Sequence, residues 1–451
     1  MGCHRRRRSY LGIGLWTVVV LLLAMGTCLA AAPALWPVVK SSRGATTRVA
    51  PGVFYSHYQL VTASGPLSVH HLRIELNTPS VRLDIGLAHD QLISGDETVS
   101  SMVGRTGAVA GINGDFFDIG DSGMPLNIVV RDGELLRSPS GWAGLAIGKD
   151  GTTRIAHFQW DGSVVLPGTN VKYWLAGFNT GIVPDGIVAL SNIRGYGAPV
   201  PQAGIRQTVV DLEPVESDRT PAIAFAPRAT VPPADGIQYT VRQVWPQQAY
   251  YAPFPKGVML LVGRGDAADW LAQHLIPGMV VELHLATSPD WHDLRLAIGG
   301  GPILVGNGQL VDDPRSPVPN ERDRRNPVLA AGIPKDGTTL LLVAVDGRQP
   351  RLSVGLTQPE LAAYMRWLGA YQAMAFDSGG SVTMVTRFPG RPFPTVVNSP
   401  SDGHERPVGN ALLVFSNAMP VSPAVAAHPE PPGTPASSQG VVFVVPYSPS
   451  R

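Results

Sequence analysis

Cysteine is almost missing from this 451-residue chain, which has only Cys3 and Cys28. Both precede residue 35, so the rest of the chain has no thiolate nucleophile, no cysteine zinc site and no disulfide framework, and burial alone holds its core. Charge is sparse too, at 15% of residues, with 35 basic against 34 acidic side chains. Four of the arginines sit together at positions 5–8, which leaves 31 basic against 34 acidic residues elsewhere. No basic stripe of the kind that binds nucleic acid remains. Familiar catalytic signatures are missing as well: there is no His-Glu-X-X-His and no Gly-X-Ser-X-Gly, and the eleven histidines form no ligand-spaced set. The sequence therefore offers no histidine-based zinc motif and no serine-hydrolase elbow. Gly299-Gly300-Gly301-Pro302 lacks the Lys-Ser/Thr ending of a phosphate loop, so nucleotide binding is not expected.

What is present is turn-rich and apolar. Gly (50) and Pro (42) make up about a fifth of the chain without a Gly-X-Y period, which excludes collagen, and 44% hydrophobic residues suffice for a sizeable core. Residues 11–32 carry no charge and follow the arginine block. That run is long enough to span a bilayer with the arginines on the cytoplasmic side, while small residues near Ala30 and Ala32 equally fit signal-peptide cleavage. Either way the remainder is expected outside the cytoplasm, membrane-anchored facing outward or secreted. The organisation expected is a signal peptide or anchor at 1–34, a linker at 35–51, an N-terminal strand region at 52–97, the main domain at 98–417 with a strand-rich insertion near 167–289, and a Pro-rich disordered tail at 418–451.

The fold class expected is α+β, strand-rich mixed sheets with few helices. Alternation in Val69-His70-His71-Leu72-Arg73-Ile74 reads as a half-buried strand, with the two histidines facing opposite ways. One strand-helix-strand crossover can be read in detail. The apolar run 340–345 ends at Asp346-Gly347-Arg348; Thr357 and Glu360 fit a capping box with Pro359 in the first turn; Leu361, Tyr364, Met365 and Leu368 follow at helical spacing and Gly369 stops the helix. A second apolar run, 373–376, then ends at Asp377. The crossover makes the two strands parallel and brings Asp346 and Asp377 to one sheet edge, with carboxylates roughly 5–10 Å apart if the strands are neighbours. Such a separation suits a carboxylate pair acting on a glycosidic bond.

Two further motifs stand out, each with an ordinary structural reading. Asn113-Gly114-Asp115-Phe116-Phe117-Asp118 follows a buried strand and could be a simple hairpin turn. Asp377-Ser378-Gly379-Gly380-Ser381 could free backbone N–H groups for an anion or be a plain loop. Together with Gly299-Gly300-Gly301-Pro302, Asp346-Gly347-Arg348 and the Asn398-to-Asn410 segment containing Glu405-Arg406, their order and spacing resemble the phosphodiester glycosidase family over roughly residues 98–415. The resemblance implies an exported hydrolase cleaving a sugar-1-phosphodiester or a related envelope or exopolysaccharide linkage, with a carbohydrate or sugar-phosphate substrate. It implies Asp377 and Asp346 as acid and base or nucleophile, in either assignment, with Asp115 as a third catalytic carboxylate. Asn113, Arg348, Gly379, Gly380, Ser381, Arg325, Glu405 and Arg406 would bind substrate. No cofactor is expected, and a divalent cation is left open. Where relatives carry an arginine after Asn-Pro, this chain has Val328. That departure supports an alternative, a catalytically impaired glycan-binding protein of the same fold.

Overall fold

Residues 53–75 form a long hairpin, Val53–Thr62 and Gly65–Glu75, because apolar and polar residues alternate along both strands. It sits in a nine-stranded sheet whose order continues through Thr339–Val345, Val328–Pro334, Ala370–Ala375, Ile303–Gly306 and Gln309–Leu310. The computed structural model describes residues 38–93, 95–195, 204–215, 236–247 and 258–416. The expected signal or anchor and the Pro-rich tail lie outside the described residues, as do parts of the insertion. The linker expected at 35–51 is corrected: Val38–Arg43 and Thr47–Ala50 are strands that pair with Val53–Thr62. At a sheet edge, backbone hydrogen bonds suffice, so a polar composition does not prevent pairing.

The crossover helix forms over Gln358–Trp367 with its capping box intact. The Thr357 hydroxyl accepts from the Glu360 N–H, and the Glu360 carboxylate accepts from the Thr357 N–H at 2.9 Å. Leu361, Tyr364 and Met365 pack on the face of the sheet that also carries Val328, Val343 and Val345. The opposite face, with Leu72, Leu329, Leu342 and Phe376, packs against the remaining sheets. Thr339–Val345 and Ala370–Ala375 run the same way, as the crossover requires, but they are not neighbours. Val328–Pro334 lies between them, antiparallel to both, so their backbones are roughly 10 Å apart.

A five-stranded sheet holds Ala110–Asn113 at its centre, flanked by Met384–Thr386 and Asn410–Ser416. Another contains Ala143–Gly148, Leu294–Gly299, Val129–Arg131 and Glu134–Arg137. The insertion is a closed barrel built from strands between Gln159–Val165 and Val280–Ser288, with its own core around Phe178, Tyr239 and Leu261. Three α-helices occur among the described residues, and none is long and apolar enough to cross a membrane.

Candidate functional site

The ends of strands from three sheets meet around Asp115 and Asp377. Ala110–Asn113 is buried throughout, and the chain that leaves it passes beside the Asp377 loop before folding back at residues 116–126. The Asn113 Nδ2 donates to the Asp377 carbonyl at 3.0 Å, its Oδ1 accepts from the Thr383 N–H at 3.0 Å, and the Asp377 N–H donates to the Gly114 carbonyl at 3.1 Å. Asn113 is 1% exposed. The expectation that it meets a sugar hydroxyl is therefore corrected: its amide staples the Asp377 loop to the neighbouring sheet.

Asp115 is fully enclosed. One carboxylate oxygen, Oδ2, accepts from the Asn127 N–H at 2.5 Å, while Oδ1 is buried with no hydrogen-bond partner among the described residues. Its own N–H donates to Asn410 Oδ1 at 2.9 Å. Burial pushes the Asp115 carboxyl up to about 7, against the pull of Arg137 and the Asn127 N–H, and the negative charge of Asp377 pushes the same way as burial. Gly299 explains one motif: a Cβ there would stand 2.7 Å from Asp115 Oδ2, so only glycine admits the carboxylate. Arg137 is buried beside this group, donating to the carbonyls of Asn127 at 3.0 Å and Ser138 at 2.9 Å, and burial lowers it to about 10.

Asp377 is less enclosed, at 9% exposure. Burial raises its carboxyl to about 6, with Glu321 adding to the rise; the Ser381 hydroxyl, the Ser378 N–H at 2.8 Å and the Arg406 charge oppose it. The structure thus brings Asp115 and Asp377 into electrostatic contact, both shifted into the near-neutral range.

Asp346 is held differently. It is 1% exposed, Oδ1 accepts from the Ser399 N–H at 2.8 Å, and Oδ2 is 3.1 Å from His70 Nε2. A carboxylate only accepts, so in the neutral ring His70 carries its proton on Nε2, and Nδ1 accepts from the Tyr55 hydroxyl at 2.8 Å. Burial and the Asp346 charge push that phenol up to about 12. His57 stacks on His70 with ring centroids 4.5 Å apart and contacts Ser68 at 3.0 Å. The adjacent His71 faces the helix side and bonds the Tyr364 hydroxyl at 2.9 Å. Asp346 is accordingly the hub of a buried network that ties the 398–399 loop to the hairpin.

The remaining expected residues divide. Arg348 adopts a left-handed φ of 58°, is exposed, donates from Nε to Asn326 at 3.2 Å, and lies over Gly379, whose Cβ position is 3.0 Å from its Nη2. Arg406 pairs with Asp402 at 2.6 Å and donates to the Ser381 hydroxyl at 3.3 Å; a side chain at Gly380 would overlap its guanidinium. Arg348, Arg406, Ser381 and the two glycines therefore surround Asp377. Three expectations are corrected. The Gly379 N–H donates to the Pro327 carbonyl at 2.9 Å, so it does not face an anion. Arg325 is committed to Glu360, to Ser64 at 2.7 Å and to the Gly355 carbonyl at 3.0 Å. Glu405 accepts from the Ser100 N–H at 2.8 Å and so serves the start of helix Val99–Thr106. Sequence reasoning missed Arg137, His70, Glu321 and Asn127. Arg137 closes a four-residue strand and His70 sits in an alternating one, so only the packed partners distinguish them from ordinary strand residues.

A small pocket open to solvent borders this site, lined by Ser378, Phe376, Phe116, Asn326 and Val328 among others. Val328, at the start of the strand between those leading to Asp346 and Asp377, opens onto it. Among the described residues no group of three or more His, Cys, Asp or Glu is arranged to hold a metal ion.

The phosphodiester glycosidase family profile matches residues 246–415. That span contains Asp346, Asp377 and Arg406 and leaves out Asn113 and Asp115. Among solved structures, a protein from Burkholderia pseudomallei K96243 is similar at TM-score 0.65 and 21% identity over 83% of this chain and 96% of that one. A hypothetical protein from Synechocystis is similar at TM-score 0.64 and 19% identity over 81% of this chain; the match spans 62% of its length. Both share the fold. The catalytic domain of zebrafish N-acetylglucosamine-1-phosphodiester alpha-N-acetylglucosaminidase is similar at TM-score 0.41 and 15% identity, covering 84% and 89% of the two chains. No curated protein matches the sequence.

Proposed function

We propose that the protein is an exported glycosidase that hydrolyses a sugar-1-phosphodiester or a related envelope or exopolysaccharide linkage. The observation that carries this reading is the coupling of Asp115 and Asp377, two buried carboxyls raised to about 7 and about 6 beside two arginines. Between those values Asp377 is ionised and Asp115 neutral. Asp377, the less enclosed of the two and next in sequence to the pocket residue Ser378, is the group that meets substrate and takes a proton from the attacking water. The sugar C1–O bond breaks with its electron pair leaving on the phosphoryl oxygen, and the water oxygen bonds to C1. The departing phosphate monoester is a stable anion, and Arg348 and Arg406 are the guanidiniums that would receive it. Asp115, neutral in this window, spares the departing group a second negative neighbour.

Asp346 then acts as a positioning residue, holding the loop that carries Ser399. The charged run ahead of residues 11–32 supports export. The test is release of free sugar from the methyl esters of N-acetylglucosamine 1-phosphate and glucose 1-phosphate. Turnover that falls roughly 10²–10⁴-fold in Asp377→Asn supports the reading. Saturable binding without turnover supports the glycan-binding alternative instead.

A further inference from the structure

We infer that the pocket beside Asp377 holds an uncharged, apolar alcohol moiety, the group on the far side of the phosphoryl from the sugar; the inference rests on the phosphodiester reading above. The floor of the pocket is Val328, Leu356, Leu361 and Ala375, and the rim includes Val318 and Phe116. Gln358, Ser378 and Arg324 stand among the lining residues, and Glu321 and Asn326 are engaged with each other and with Arg348. Glu321 accepts from Asn326 Nδ2 at 3.1 Å, Asn326 Oδ1 accepts from Arg348, and Arg324 is 72% exposed and 4.0 Å from Glu321. An anion seated against this apolar floor would lose its water and would face the charge of Glu321 as well as that of Arg324. A sugar would leave most of its hydroxyls unpaired there. An alkyl or aryl group meets neither penalty and gains by removing its own and the pocket's apolar surface from water.

Geometry also fixes which part of a substrate reaches the pocket. Arg348 is held at its border, bonded to the pocket residue Asn326 and lying over Gly379, next to the pocket residue Ser378. A phosphoryl group on Arg348 therefore stands at the mouth, and its second ester group points over the apolar floor.

The experiment compares benzyl phosphate with methyl phosphate as ligands of the full chain by calorimetry. Burying one aromatic ring predicts a preference of about tenfold or more for the benzyl ester. The pair of substitutions Val318→Asn and Val328→Thr should remove most of that preference, whereas Val318→Leu should keep it, all with unchanged melting transitions. Equal affinity for the two esters, no binding of either, or a preference untouched by the paired substitutions overturns the inference. A pocket-dependent benzyl preference without turnover of any sugar-1-phosphodiester upholds the pocket and overturns hydrolysis alone.

Discussion

Asp115 and Asp377 sit on either side of a single backbone hydrogen bond: the Asp377 N–H donates to the Gly114 carbonyl at 3.1 Å, and the charge on Asp377 pushes the Asp115 carboxyl up. Two strand ends from different sheets are thereby locked together with their acidic groups in one low-dielectric volume. The pair titrates as a unit whose two protons leave at different pH.

Turnover should follow a bell. As pH rises through about 6, Asp377 ionises and kcat/KM rises; through about 7, Asp115 ionises and kcat/KM falls. Asp115→Asn removes the second titration, so its profile should rise to a plateau. An unchanged alkaline limb in that variant would show that another group controls it.

Stability carries the opposite signature from that of salt-bridged acids. Both carboxyls have folded values above the ordinary 3.8. Their contribution is therefore fully present below about pH 4 and is lost as pH rises through 6 and 7. Asp115→Asn should be the more stable protein at pH 8, by on the order of 1–3 kcal/mol relative to its difference at pH 4. Urea midpoints of the two proteins at both pH values measure this.

Removing His70 should destabilise without abolishing chemistry. His70→Phe leaves Asp346 Oδ2 without its 3.1 Å partner in a site that is 1% exposed. A loss of about 1–3 kcal/mol in unfolding free energy is expected, with kcat on a sugar-1-phosphodiester falling far less than in Asp377→Asn. A loss of kcat equal to that of Asp377→Asn, with stability intact, would make Asp346 a reacting group.

Val328→Arg tests the departure from the family pattern. Val328 is 7% exposed and opens onto the pocket, so a longer side chain has space to extend outward. Added beside Arg348, a guanidinium should raise turnover of small sugar-1-phosphodiesters by about 10²-fold if a donor to the departing charge is what the site lacks. Leu329 is fully buried on the opposite face, so changing it to Thr as well would destabilise the core. Rates and melting transitions of the single variant decide the matter.

Residues 1–40 fused to a reporter should carry it across the cytoplasmic membrane, given the charge-free run behind Arg5, Arg6, Arg7 and Arg8. A reporter that stays inside would remove export from the proposal.

Local signals along the chain were sufficient for the α+β class, the capped helix at Gln358–Trp367 and the parallel sense of the strands before Asp346 and Asp377, because capping chemistry, alternation and crossover handedness act over short stretches, whereas the closure of the insertion into a barrel was not legible there. Which carboxylates meet was decided only in three dimensions. Asp115 and Asp377 lie far apart in sequence, and no periodicity records that Ala110–Asn113 and Ala370–Ala375 end against each other. The strand Val328–Pro334 slipped between the two expected neighbours through long-range pairing, which carries no local mark. Likewise, whether a carboxylate is reactive or structural depends on how many donors surround it once water is gone: Asp346 has His70 and Ser399, whereas Asp115 keeps one oxygen unpaired. Desolvation is a property of the packed interior, and so the chemistry of these acids is set by tertiary structure rather than by residue type.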